Sequence, residues 1–318
     1  MKLSDKERIV LAAAELRADA PISELRKDTG LREHTIRYAL RRIIQRKVAT
    51  PIPLINLQVL GMTVFNIFFS VGAEKRATKD ALLKAFSQSK EVVWIGEFGG
   101  EFQYGIAVVG KHVGTALDLL NSLAQKYQNV FFEKSVAWQS SVTLYYRKYL
   151  TPKRLPIRPI VCRYTDQTVE IDEIDEKVLS GLASMGGESH RQVAMSLKMP
   201  LSTFELRVRK LTERGVIAGH ILSVDPTLYG MQGYKLLVYG KGLNAALAKG
   251  LGKFCEQHRS ITYLIECIGS WDYEIGVEAQ HPQEVTEVVQ EIYEHFGALI
   301  NNVKLLNKFS DVKIRWYF

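Results

Sequence analysis

Apolar positions recur every three or four residues from Ile174 through Val178 to Leu182, the spacing of one helix face. The same period predicts further helices over 190–197 and 202–214, the last with Ser202 as its N-cap and Gly215 as its stop. Nearer the N-terminus it predicts helices over 5–17, 22–29 and 33–46. The short gap between the second and third helix of each set holds Gly30 in the first and Lys198-Met199-Pro200-Leu201 in the second. Such a gap is helix-turn-helix spacing.

Between these sets the pattern changes to short runs rich in apolar and β-branched residues. Strands are predicted over 63–71, 92–97, 102–109 and 130–138, with helices over 79–88 and 113–127. The order returns as 234–239, 244–258, 261–267, 273–279, 282–296 and 300–306. This is the βαββαβ order of a ferredoxin-like unit. Gly99-Gly100 and Gly269-Ser270 supply the turn of each central hairpin. A shift of 168–169 residues superposes the halves: Thr35 falls on Thr203, Arg41 on Arg209, Gly100 on Gly269, Phe102 on Trp271 and Tyr104 on Tyr273. The predicted fold class is therefore α+β, a three-helix helix-turn-helix domain followed by a ferredoxin-like domain, twice. The domains are expected over 1–50 and 51–150, then 170–222 and 223–318. Pro152, Pro156 and Pro159 mark an extended linker over 151–169.

Composition narrows the class of protein. The 318 residues are 47% hydrophobic and 24% charged, ordinary for globular chains. The charged start Met1-Lys2-Leu3-Ser4-Asp5-Lys6-Glu7 leads us to expect no secretory leader. The longest apolar run, 64–71, is interrupted by Asn66 and Ser70, so no membrane partner is expected. Cys162, Cys255 and Cys267 form no pairing framework, which fits a reducing, cytoplasmic setting. The net charge of +8 is unevenly shared: residues 1–163 carry 26 basic and 14 acidic side chains, and the rest carry 16 and 20. A basic half beside an acidic one points to a polyanion partner for the first.

The run Leu201-Ser202-Thr203-Phe204-Glu205-Leu206-Arg207-Val208-Arg209-Lys210-Leu211-Thr212-Glu213-Arg214-Gly215-Val216-Ile217 resembles the recognition helix of the Lrp/AsnC (feast/famine) regulators. Gly269-Ser270-Trp271-Asp272-Tyr273 is similar to the Gly-x-x-Asp-Tyr turn of that family's sensing domain. The resemblance spans nearly the whole chain, twice. It implies double-stranded DNA as partner, a small effector such as an amino acid, and self-association through the ferredoxin-like domains.

In the first copy, Arg32, His34, Thr35 and Arg37 are expected to reach base edges. Arg41, Arg42 and Arg46, with Arg26 and Lys27 on the preceding helix, are placed for phosphates. In the second copy the candidates are Ser202, Thr203, Arg207, Arg209 and Lys210, with Glu205 and Leu206 diluting the basic face. Its domain nets −1, so the first copy is expected to supply most of the affinity. Gly100, Gly269 and Asp272 are the effector candidates, with Gln103 replacing the acid in the first copy. Siroheme decarboxylases resemble this family in fold and occur as fused pairs, with a His- and Arg-rich hairpin. Segments 98–105 and 268–276 contain neither residue, so an enzyme is not expected, and no catalytic residue or cofactor is assigned. The seven histidines show no metal-ligand spacing, so no metal is assigned either.

Overall fold

Ser4 opens the first helix, α1 (Asp5–Ala14), through a capping box: it accepts the Glu7 N–H while the Glu7 carboxylate accepts the Ser4 N–H. The structure is a computed structural model that describes residues 2–72, 76–127, 131–242, 244–314 and 317. After α1 come α2 (Ile22–Thr29), stopped by Gly30 at φ 69°, and α3 (Glu33–Gln45). Helix α3 buries Ile36, Ala39 and Ile43, spaced three and four apart, in a core shared with Leu11 and Leu25.

The chain then forms β1 (Ala49–Ile55), β2 (Thr63–Val71), α4 (Arg76–Gln88), β3 (Val92–Gly99), β4 (Tyr104–Gly110), α5 (Gly114–Tyr127) and β5 (Phe131–Leu144). The proline-rich connector contributes β6 (Ile160–Arg163), which pairs with β5. The second copy follows with α6 (Glu173–Ser184), α7 (His190–Ser196) and α8 (Leu201–Glu213), then β7 (Ile217–Val224) and β8 (Gln232–Gly240). It closes with α9 (Ala245–Gln257), β9 (Ile261–Gly269), β10 (Tyr273–Ala279), α10 (Pro282–Phe296) and β11 (Ile300–Ile314).

One capping expectation is corrected. Helix α8 starts at Leu201 behind Pro200, which has no side-chain cap bond, so Ser202 lies inside the first turn. The extended backbone of Pro200 (ψ 137°) sets the helix start a residue earlier than the serine would. Gly215 stops the helix at φ 72°, in the left-handed region that a glycine accepts at no cost.

The strands after each helix-turn-helix, β1 and β7, pair antiparallel from Ala49↔Val224 to Ile55↔Ile217. Neither strand is predicted above, and in β1 Pro51 and Pro53 break the strand signal. The pairing explains how two prolines are tolerated. Leu222 and His220, opposite Pro51 and Pro53, turn their peptide groups outward, the Leu222 N–H to Glu15 O and the His220 carbonyl to the Ala18 N–H. Both prolines thus sit at positions where no ladder donor is needed.

Each ferredoxin-like copy makes a four-stranded sheet, in the order β5-β2-β4-β3 and β11-β8-β10-β9. The long strands weld the copies together. The second half of β5 pairs with β9 (Ala137↔Gly269 to Leu144↔Tyr263), and that of β11 pairs with β3 (Asn307↔Gly99 to Ile314↔Trp94). The strands therefore close into a ring with helices outside. Leu82, Phe86, Leu120 and Leu123 cover Ile67, Ile106 and Val108, and Leu247, Leu251, Val285 and Ile292 cover Leu236, Ile275 and Val277. The opposite faces point inward, where Phe68, Phe98, Phe102, Leu237, Trp271 and Leu306 meet. Strand β10 is buried along its whole length as a result.

Candidate functional site

Burial of Ile36, Ala39 and Ile43 fixes which side of α3 faces outward. Arg32 and His34 are exposed at its start and Thr35 is half-buried beside them; Arg37 and Arg41 are exposed further along. Arg26 and Lys27 are exposed at the end of α2. Among the described residues, Arg26, Lys27, Arg32 and Arg41 have no ion pair, and Arg37 has only an exposed one, to Glu33 at 3.7 Å. Such a pair at the surface contributes little and leaves the charge available.

Arg42 and Arg46 are placed differently from the others. Both reach the buried Glu7 carboxylate on α1, at 3.3 and 3.2 Å. Burial pushes the Glu7 carboxyl up, but the Ser4 bonds and the two guanidiniums outweigh it and hold the group below its usual range. Arg42 also lies over the Tyr38 ring, 5.6 Å from its centroid. These two arginines thus fasten α3 to α1.

The second recognition helix presents a weaker cationic face. Arg207 turns back to Asp172 at 2.5 Å and Asp175 at 3.0 Å, tying α8 to the start of α6. Arg209 sits 4.0 Å from Glu213, and Arg214 sits 4.0 Å from Asp175. Ser202, Thr203, Glu205 and Lys210 are exposed, alongside exposed Met195, Leu201 and Leu206.

The hairpin residues have local roles. Gly269, at φ 148°, lies against β5 so closely that a Cβ there would meet Val136 O at 2.5 Å. Gly100, at φ 121°, lies against β11 in the same way, its Cβ position 3.1 Å from Leu305 O. Asp272 accepts the Gly240 N–H at 2.6 Å. Gln103, its counterpart, accepts the Val71 N–H at 3.2 Å, and Val71 is the counterpart of Gly240. The acid and the amide therefore do one job, holding the hairpin to the end of the first strand of each sheet.

Sequence reasoning missed a charged pair inside the ring. Lys235 on β8 and Glu274 on β10 are buried and ion-paired inside the ring. Glu274 also accepts from Asn66 Nδ2 at 2.8 Å and Trp271 Nε1 at 3.2 Å. The Lys235 ammonium lies 4.7 Å from the Trp94 ring centroid, 5.1 Å from Phe68 and 5.4 Å from Tyr263. Burial works to lower its pKa, but the adjoining Glu274 carboxylate prevails and holds it above the ordinary lysine range. A lone charge in Tyr234-Lys235-Leu236 reads as a solvent-facing position, and only ring closure turns that face inward.

No family profile matches the chain. Among curated proteins it is similar to the HTH-type transcriptional regulator FL11 of Pyrococcus horikoshii, 29% identical over 119 residues, which are 37% of this chain and 76% of that protein. The FL11 of Pyrococcus abyssi is 27% identical over 126 residues, 39% of this chain and 81% of that protein. Each match is shorter than one repeat. Among solved structures, the siroheme decarboxylase NirDL superposes on 98% of this chain and 93% of its own with a TM-score of 0.61, at 13% identity.

That superposition corrects one expectation. Two hairpins without His or Arg speak against an enzyme, but the whole double architecture is shared with a protein that is an enzyme. Two hairpins are a small part of a chamber walled by many strands, so their composition does not decide the matter. The chain is thus similar in sequence to helix-turn-helix transcriptional regulators over less than half of its length, and it shares the α+β fold of NirDL over nearly all of it.

Proposed function

We propose that the chain is a DNA-binding transcriptional regulator in which the first helix-turn-helix supplies the principal grip. The observation that carries this reading is the outward face of α3 and the end of α2, where Arg26, Lys27, Arg32, Arg37 and Arg41 stand exposed without buried carboxylate partners among the described residues. Arg32, His34, Thr35 and Arg37, at the helix start, are assigned to the groove, and Arg41, Arg26 and Lys27 to phosphates. Arg42 and Arg46 are assigned to positioning α3 through Glu7. In the second copy Arg207 serves α6, leaving Arg209, Lys210, Ser202 and Thr203 as a subsidiary contact. Purified protein mixed with sheared genomic DNA should retain a set of fragments sharing one motif; recovery in proportion to bulk DNA contradicts the proposal.

A second reading rests on the full-length likeness to a siroheme decarboxylase and on the Lys235–Glu274 pair inside the ring. In it the chain handles a siroheme-like tetrapyrrole. A saturable absorbance change on titrating siroheme into the protein supports it, and an unchanged spectrum removes it.

A further inference from the structure

The hairpin turns are occupied by packing, so a small-molecule site has to be found elsewhere. Beside the Lys235–Glu274 pair, between the ring and the segment that leaves β1, lies a cavity of about 240 Å³. Its walls are mostly apolar, and Trp94 and Tyr263 are among them. Both ammonium groups that line it are neutralised. Lys235 is paired with Glu274, and Lys308 Nζ lies 2.6 Å from Asp311 Oδ2. An outer cleft of about 380 Å³ beside the β1–β7 ribbon shares Tyr263, Lys308 and Ile314 with it as walls, which gives a solute a route inward past three side chains.

Three carboxamides also line the cavity, those of Asn56, Asn66 and Gln139. Each has one end tied. Asn56 Oδ1 accepts the Gln58 N–H at 3.2 Å. Asn66 Nδ2 donates to Glu274 Oε1 at 2.8 Å and to Gln139 Oε1 at 3.4 Å. A backbone N–H only donates and a carboxylate only accepts, so these bonds fix which way all three amides point. The other ends, Asn56 Nδ2, Asn66 Oδ1 and Gln139 Nε2, have no hydrogen-bond partner among the described residues. None of the three atoms is sealed within the packing, as Gln58 Oε1 is. Asn66 is 4% and Asn56 8% exposed, so the little surface they keep belongs to the cavity they line. A polar atom left without a partner in such a place is costly, and a ligand that supplies one relieves the cost.

We infer that this cavity binds a planar, uncharged cyclic amide, whose N–H donates to Asn66 Oδ1 and whose carbonyl accepts from Gln139 Nε2. The bond between these two side chains puts the free acceptor and the free donor on neighbouring groups, as the adjacent N–H and C=O of one ring require. Asn56 Nδ2 is a further donor, for a second carbonyl on the ring. Trp94 and Tyr263 supply aromatic surface for a flat molecule. A carboxylate or phosphate is disfavoured, because it would have to draw Lys235 away from Glu274. The site rests on neither reading above and is tested without DNA or siroheme. The bicyclic lactam carbostyril serves as the probe. Its control is coumarin, which has the same shape and carbonyl but a ring oxygen in place of the N–H. Calorimetric titration of the full chain should give saturable carbostyril binding at one site, with coumarin about tenfold weaker. Gln139→Leu should weaken both probes, since both present the carbonyl. Ala107→Leu, which fills the cavity beside Asn66, should also weaken both. The absence of saturable carbostyril binding overturns the proposal. So does coumarin binding as tightly as carbostyril, or binding left unchanged by either substitution.

Discussion

Lys235 and Glu274 occupy the positions of Asn66 and Gly105 when the halves are superposed, and Tyr263 occupies that of Trp94. The interior of the ring is thus built from unlike residues at equivalent places, with both charges contributed by the second copy. A buried pair of this kind is harmed more by removal of one member than by loss of both charges. Lys235→Met should cost about 3–5 kcal/mol in urea unfolding, because it strands the Glu274 carboxylate. Lys235→Met combined with Glu274→Gln should recover most of that loss, since the glutamine oxygen still accepts from Asn66 and Trp271. Equal destabilisation of the single and double variants would show that the pair is not coupled. None of this was legible in the sequence. Alternation marks Lys235 as facing away from Leu236 and Val238, but whether that face meets water or a second sheet depends on distant residues of the first copy, on β3 and β5. The hairpin acid misled for the opposite reason. The motif was legible, but Gln103 preserves the same backbone bond as Asp272, so the difference between the copies carries no functional contrast at that bond.

Helices and strands were legible where a single face is buried. Helix α2 and strand β2 run over the residues that the apolar spacing predicts, 22–29 and 63–71. Helix α3 ends within a residue of expectation. The elements that join the copies were less visible: the β1–β7 ribbon behind Pro51 and Pro53, and the far halves of β5 and β11. Their partners lie in the other copy, and no local pattern records such pairing. The short 3-10 turn Lys148–Leu150 after β5 is another such joint. There Lys148 Nζ donates to Cys255 O at 3.2 Å and Ile261 O at 3.0 Å, linking the connector to α9 and β9. Burial pulls its ammonium down to about 8. The unfolded chain, with a lysine near 10.4, then binds more protons between about pH 8 and 10. Stability from this group should therefore rise with pH across that window, not fall. The difference in unfolding free energy between wild type and Lys148→Met should shift in favour of wild type from pH 7.5 to 9.5. A flat difference would mean that Lys148 titrates normally.

At the scale of the molecule, the two copies share one β ring and one ribbon, yet their helix-turn-helix faces differ in charge. Residues 1–163 hold 26 basic against 14 acidic side chains, while the rest hold 16 against 20. The structure sharpens that contrast by showing which cations are engaged. Arg42, Arg46 and Arg207 are drawn to carboxylates at the base of their own domains, whereas Arg37 and Arg41 project from α3. The account therefore predicts an asymmetric grip on DNA by a nearly symmetric chain. The direct test is the salt dependence of binding to a selected operator fragment, compared for wild type, Lys27→Gln/Arg41→Gln and Arg209→Gln/Lys210→Gln. Losing phosphate-neutralising charges from the first copy should weaken binding and flatten the slope of log K against log salt by up to about 2. The second-copy variant should change the slope by less than half as much. Equal effects of the two variants, or a first-copy variant that binds like wild type, would contradict the account.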